Sequence, residues 1–115
     1  MQFIDKPVSL AQVIKSCNHL FDDMVKIVVD IEREVVGIDA EMHADLEAQM
    51  LDQGSEQSNL WGANIYFDKT GDDFIEYTSF INIRPRDNNR GMEVIDEEIR
   101  NKIRQIVEKL LQKPS

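Results

Sequence analysis

An α+β fold is what this 115-residue chain predicts: a two-layer sandwich whose sheet of about four strands, antiparallel or mixed, carries three helices on one face. Three observations predict it. Apolar residues recur at helical spacing in three separate stretches, two β-rich pairs alternate with period two between them, and the joining segments are short and polar. The order is therefore helix, strand pair, helix, strand pair, helix. At 42% hydrophobic and 30% charged, residues 1–115 read as a single domain able to bury one core without cross-links.

The first stretch, Gln2–Lys6, reads as a short edge strand closed by Pro7. Ser9 then signals a helix start, with Gln12 three residues on to complete a capping box. Leu10, Val13, Ile14, Cys17, Leu20 and Phe21 form its apolar stripe, and His19 sits at its tail, where a cation suits the helix dipole. Asp22-Asp23 breaks it. Met24–Ile38 reads as two strands around a Glu32-Arg33-Glu34 turn, because its β-branched density outweighs the competing continuous helix. Asp39–Gln53 is the second helix, with Asp39 as the expected N-cap and Gly54 as the residue that ends it.

Leu60–Phe67 and Phe74–Arg84 are the second strand pair, divided by the wholly polar turn Asp68–Asp73. Pro85 stops the latter strand, since it has no N–H for a ladder. Asp96 caps the last helix, whose stripe Ile99, Ile103, Ile106, Val107 and Leu110 is the clearest in the chain, and Pro114 closes it. Alternation puts Trp61, Ile65, Ile81 and Ile83 toward the helices. It turns Asn64, Tyr66, Glu76, Thr78, Asn82 and Arg84 to an open sheet face, with Gly62 leaving a gap beside Asn64. Leu60, Phe74 and Phe80 on that face suggest a partner or a second copy, so a homo-oligomer is a further expectation.

Charge narrows the function classes. With 22 acids against 13 bases and a net charge of -9, general affinity for nucleic acid or an anionic membrane is excluded. No apolar run reaches the length of a membrane span or of a signal-peptide core, and the lone Cys17 permits no internal disulfide, so a cytoplasmic location is expected. Against that acidity, Arg84, Arg86 and Arg90 fall within seven residues, with Asn88 and Asn89 between them. Guanidinium forks match carboxylates and phosphates, which makes this loop, with Asn64, Asn82 and Asn89, the candidate ligand site. The expected ligand is an anionic small molecule or an acidic protein segment.

His43 and Glu47 stand one turn apart on the second helix. Should that helix reach Arg84, a hydrolase-type reading opens, with His43 or Glu47 as general base and Arg84 stabilising the developing anion. No metal site is expected, since His43 and Asp45 point about 200° apart on an ideal helix. No cofactor motif or nucleophile elbow is present.

The runs H-A-D-L-E (His43–Glu47), G-S-E-Q-S-N-L-W-G-A-N-I-Y (Gly54–Tyr66) and S-F-I-N-I-R-P (Ser79–Pro85) together resemble a small family of bacterial and archaeal proteins of unknown function. The resemblance covers nearly the whole chain and implies a shared fold and a shared site, without a reaction. His43, Asp45, Glu47, Asn64, Asn82, Arg84 and Asn89 match its polar positions. Where members look to carry an N-R-S stretch, this chain has Asn89-Arg90-Gly91, a departure that bears on the ligand.

Overall fold

The fold is built on a computed structural model that describes residues 1–18 and 21–113. In chain order the elements are β1 (Gln2–Ile4), β2 (Val8–Ser9), α1 (Leu10–Ser16), β3 (Met24–Asp30), β4 (Val35–Ile38), α2 (His43–Asp52), β5 (Leu60–Tyr66), β6 (Ile75–Glu76), α3 (Glu97–Leu110) and β7 (Leu111–Gln112). The α+β class and the antiparallel sheet with three helices are as expected. The sheet has five strands, in the order β1-β4-β3-β5-β6, rather than about four. A separate parallel pair, Val8 with Leu111 and Ser9 with Gln112, ties the entry of α1 to the exit of α3.

The helices do not share one face. Ile27, Val29, Trp61, Ala63 and Ile65 pack with Val13 of α1 and with Ile103, Ile106, Val107 and Leu110 of α3. Val28 and Leu60, of opposite facing, pack instead with Leu46 and Met50 of α2. The reason lies in β3: Ile27, Val28 and Val29 are all fully buried, so this central strand must be covered on both sides. Burying Leu46 and Met50 stabilises the second layer by about 1.5–3 kcal/mol each. Gly37 of β4 lets that layer close, because a Cβ there would lie 3.1 Å from the Met50 sulfur and 3.2 Å from the Phe3 ring.

Three boundaries differ from the sequence reading, each for a local cause. Ser9 caps α1 as expected, its hydroxyl accepting from the Gln12 N–H. The helix ends at Ser16, however, because the Asp39 carboxylate takes the Asn18 backbone N–H (3.1 Å) and side-chain amide (3.0 Å). His19, Leu20 and Pro114, with the roles expected of them, lie outside the described residues. Asp39 is thereby lost as the N-cap of α2; it sits buried at φ +75°, and the cap is Met42. The largest difference is the expected strand Phe74–Arg84, of which only Ile75–Glu76 pairs with β5.

Candidate functional site

Residues 77–95 explain why an alternating sequence does not continue as a strand. The chain leaves β6 through a single bridge, Thr78 opposite Glu93, with the Val94 N–H donating to the Tyr77 carbonyl. Ser79 then turns the chain over Gly62, where an added Cβ would meet the Ser79 Cβ at 2.5 Å. The gap beside Asn64 is real, and this chain's own Ser79 and Ile81 fill it. A 3₁₀ turn, Phe80–Asn82, brings the Asn82 amide to the edge of β5. There it accepts from the Gly62 N–H (2.8 Å) and donates to the Gly62 carbonyl (2.9 Å), completing the ladder with a side chain in place of a backbone.

The other loop residues follow the same pattern. Asn89 donates to the carbonyls of Asn82, Gly91 and Glu93 and accepts from the Ile95 N–H, closing the loop from within. Arg84 turns inward: its Nη1 donates to the Leu60 carbonyl (2.8 Å) and the Gln57 carbonyl (2.5 Å), and its guanidinium stacks 4.0 Å from the Trp61 ring centroid. Its remaining ion pair, Nε to Asp87, spans 3.3 Å. Burial pushes the Arg84 pKa down, with Asp87 and then Glu47 opposing. Arg86 and Arg90 are exposed. Of the three arginines, Arg84 is thus already engaged by the protein's own backbone and Trp61.

Beneath α2 a polar row runs along β5. His43 is buried, and its Nε2 donates to the Ala63 carbonyl at 2.8 Å. Burial lowers its pKa, a trend that the Ala63 hydrogen bond opposes, so the ring is neutral near pH 7. Glu47, one turn on, has a raised pKa, again chiefly from burial, offset in part by Arg84 and Gln57. Asn64 donates to Glu76 (2.8 Å), which also accepts from the Tyr66 hydroxyl (3.2 Å). The helix thus brings Glu47 within electrostatic reach of Arg84. Glu47 Oε2 and Arg84 Nη2 are both shut from solvent and without a hydrogen-bond partner among the described residues.

Of the exposed polar face that the sequence promised, Asn64 and Asn82 are buried and Arg84 is half-buried, whereas Glu76 is exposed and Tyr66 and Thr78 are half-buried. Leu60, expected on it, is buried under α2, and Phe74 is buried in the other layer; Phe80 alone of the three is exposed, at 76%.

An open concavity lies elsewhere, between β6 and α3. It is a groove of about 1240 Å³ whose floor is Phe74–Thr78 and whose opposite wall is the polar side of α3. Two guanidiniums face it. Arg100 is fixed by a hydrogen bond from its Nε to the Val94 carbonyl and by the Tyr77 ring, 5.0 Å from its centre. Arg104, one turn on, is steadied by Asn101, whose side-chain oxygen accepts from Nη2 at 3.0 Å. Further along, Lys113 lies 3.3 Å from the Phe74 ring centroid and Lys69 lies 4.5 Å from that of Tyr66. None of these four cations forms a salt bridge among the described residues, although acids such as Asp72, Asp73 and Glu97 also line the groove. Burial raises the Tyr77 pKa, with Arg104 and Arg100 opposing, so its hydroxyl is a neutral donor.

Sequence reasoning passed over Arg100 and Arg104. A signal was available, though a partial one: Arg100 and Arg104 repel at i, i+4, while Asp96, Glu97 and Glu108 stand three or four residues from one or the other and offset that.

A family model described as a protein of unknown function, DUF5674, matches residues 2–110. The chain belongs to that family. The match spans every helix and all five strands of the main sheet, so the fold described here is that of the family's segment in this chain. Searches of curated proteins and of solved structures return no match. Among the described residues no group of three or more His, Cys, Asp or Glu is placed to hold a metal ion, and no helix is long and apolar enough to cross a membrane.

Proposed function

We propose that this member of the family is a small binding module whose groove between β6 and α3 holds a ligand bearing one carboxylate or phosphate. The observation that carries the reading is Arg100, anchored through Nε and stacked on Tyr77 with its terminal nitrogens free of any carboxylate among the described residues. A fork held from behind loses little freedom when it grips an anion. Arg104 adds a second charge and the Tyr77 hydroxyl a neutral donor. Acids outnumber bases along the groove, so a ligand with a single negative group suits it better than a strongly acidic segment.

The site first suggested by the sequence, built on Asn64, Asn82, Arg84, Arg86, Asn89 and Arg90, is the weaker candidate, since Asn82, Arg84 and Asn89 already bond to backbone groups. The hydrolase reading has one support, the approach of Glu47 to Arg84. Against it, His43 gives Nε2 to a backbone carbonyl and the unbonded atoms of Glu47 and Arg84 are sealed from solvent. The exposed Phe80 and Ile83, three apart on a 3₁₀ turn, favour a homo-oligomer as a further property, which light scattering would test. The lone buried Cys17, its pKa pushed up to about 11 by burial, fits a reducing cytoplasm.

The test is a thermal-shift series with inorganic phosphate, nucleotides and mono- and dicarboxylates on wild type, Arg100→Ala and Arg84→Ala. A ligand at a hundredfold excess over its Kd stabilises by about 2.7 kcal/mol. The reading expects a shift that persists in Arg84→Ala and disappears in Arg100→Ala; the reverse pattern returns the site to the loop.

A further inference from the structure

The groove exists because a β-ladder stops one step short. In the Ile65–Ile75 pair the adjacent hydrogen bond runs from the Tyr66 N–H to the Phe74 carbonyl, so Ile65 and Ile75 themselves are a non-bonded pair. The Ile75 N–H and C=O therefore point away from β5, toward the outer edge of the sheet. Past a γ-turn, in which the Thr78 N–H donates to the Glu76 carbonyl, the chain's outer side is occupied: the Tyr77 carbonyl receives the Val94 N–H, and Thr78 bridges Glu93. Counted on from that bridge, Asp96 is the residue that would come opposite Ile75 if the pairing ran past the turn. Asp96 instead caps α3, its carboxylate accepting the N–H groups of Glu98 and Ile99, and the chain swings away. The groove opens where the ladder would have gone on.

We propose that the occupant is the C-terminal end of an extended peptide, added as a short strand to the free edge at Ile75 with its terminal carboxylate on Arg100 and Arg104. This rests on the reading of the groove as an anion site and names the class of ligand. Strand addition supplies backbone bonds at Ile75, and side chains at alternate positions meet the groove floor. The two guanidiniums take the carboxylate. Charge along the rest of the groove is mixed, with Lys113 beside Asp72 and Asp73 near Phe74 and Glu97 one turn before Arg100. That suits a chain end carrying a single negative group better than an acidic segment. The edge is short, as exposed edges in stable folds are, which keeps it from pairing indiscriminately.

The experiment uses the whole chain and a fluorescein-labelled hexapeptide, Gly-Lys-Val-Thr-Val-Val, read by anisotropy. It is compared with its C-terminal amide, with versions N-methylated at each of the last three residues in turn, and with N-acetyl-alanine as a carboxylate lacking a strand. The expected result has three parts. The free acid binds at least tenfold tighter than the amide, at least one N-methyl group weakens binding tenfold, and hydrogen exchange at the Ile75 amide slows at least tenfold on saturation. Binding of N-acetyl-alanine without peptide binding overturns strand addition and leaves the anion groove standing. Peptide binding that tolerates every N-methyl group and leaves Ile75 unprotected overturns it in the same way. If neither probe binds wild type, both readings fall.

Discussion

Arg84 and Arg100 make an instructive pair. Both stack on an aromatic ring and both donate to a backbone carbonyl, yet they do opposite things. Arg84 lies over the part of β5 that β6 does not reach, and with Asn82 it finishes the edge from Leu60 to Gly62. Arg100 lies over the edge of β6 where the ladder is left unfinished. One arginine seals the sheet and the other faces an opening in it. The crowded positive charge in the sequence marks the seal, and the pair spaced along a helix marks the opening.

The two ends should therefore break differently. The largest loss is expected from Asn82→Ala. It leaves the Gly62 N–H and C=O buried without partners, at a cost of about 3 kcal/mol or more. Denaturant unfolding should show the lower midpoint. Gly62→Ala drives a Cβ into Ser79 and should cost about 1–3 kcal/mol in the same assay. Arg84→Ala should cost about 2 kcal/mol and alter the Trp61 fluorescence, since it strips the indole of its stacked guanidinium. By contrast Arg100→Ala should change stability by less than about 1 kcal/mol while removing anion binding.

The polar row beneath α2 sharpens the comparison through pH. His43 has a depressed pKa when folded, so it stabilises fully above its unfolded value of 6.5 and loses that contribution as pH falls through the lower, folded value. His43→Gln should flatten the stability profile below pH 6.5. Glu47 has a raised pKa, so its contribution is present below 4.5 and is lost as pH rises through the folded value. Glu47→Gln should therefore melt higher than wild type at pH 7, with the difference gone near pH 4. Melting temperatures across that range would check both.

Much of the architecture was legible because periodicity reports burial. The β-branched run from Met24 to Ile38 folds as β3 and β4, and the α3 stripe packs as its spacing implies. Val28 was legible too, as an apolar residue out of phase with Ile27 and Val29, but only the packing of Leu46 and Met50 shows what covers it. Residues 77–84 misled for a physical reason. Alternation tracks which side of a chain is buried, and a 3₁₀ turn that lays Ile81 on α2 and Asn82 on β5 alternates as well as a strand does. The tertiary pairings of Asn82, Arg84 and Asn89 have no local signature, so their polarity read as readiness for a ligand. Arg100 and Arg104 carried a spacing signal that a search for charge clusters overlooks.

The most direct test of the central claim is side-chain NMR of the arginine Nε–Hε groups during titration with N-acetyl-alanine. The account predicts that Arg100 and Arg104 shift along one saturable isotherm while Arg84 stays fixed. Movement of Arg84 with Arg100 unmoved would contradict it, and would place ligand binding on the arginine loop after all.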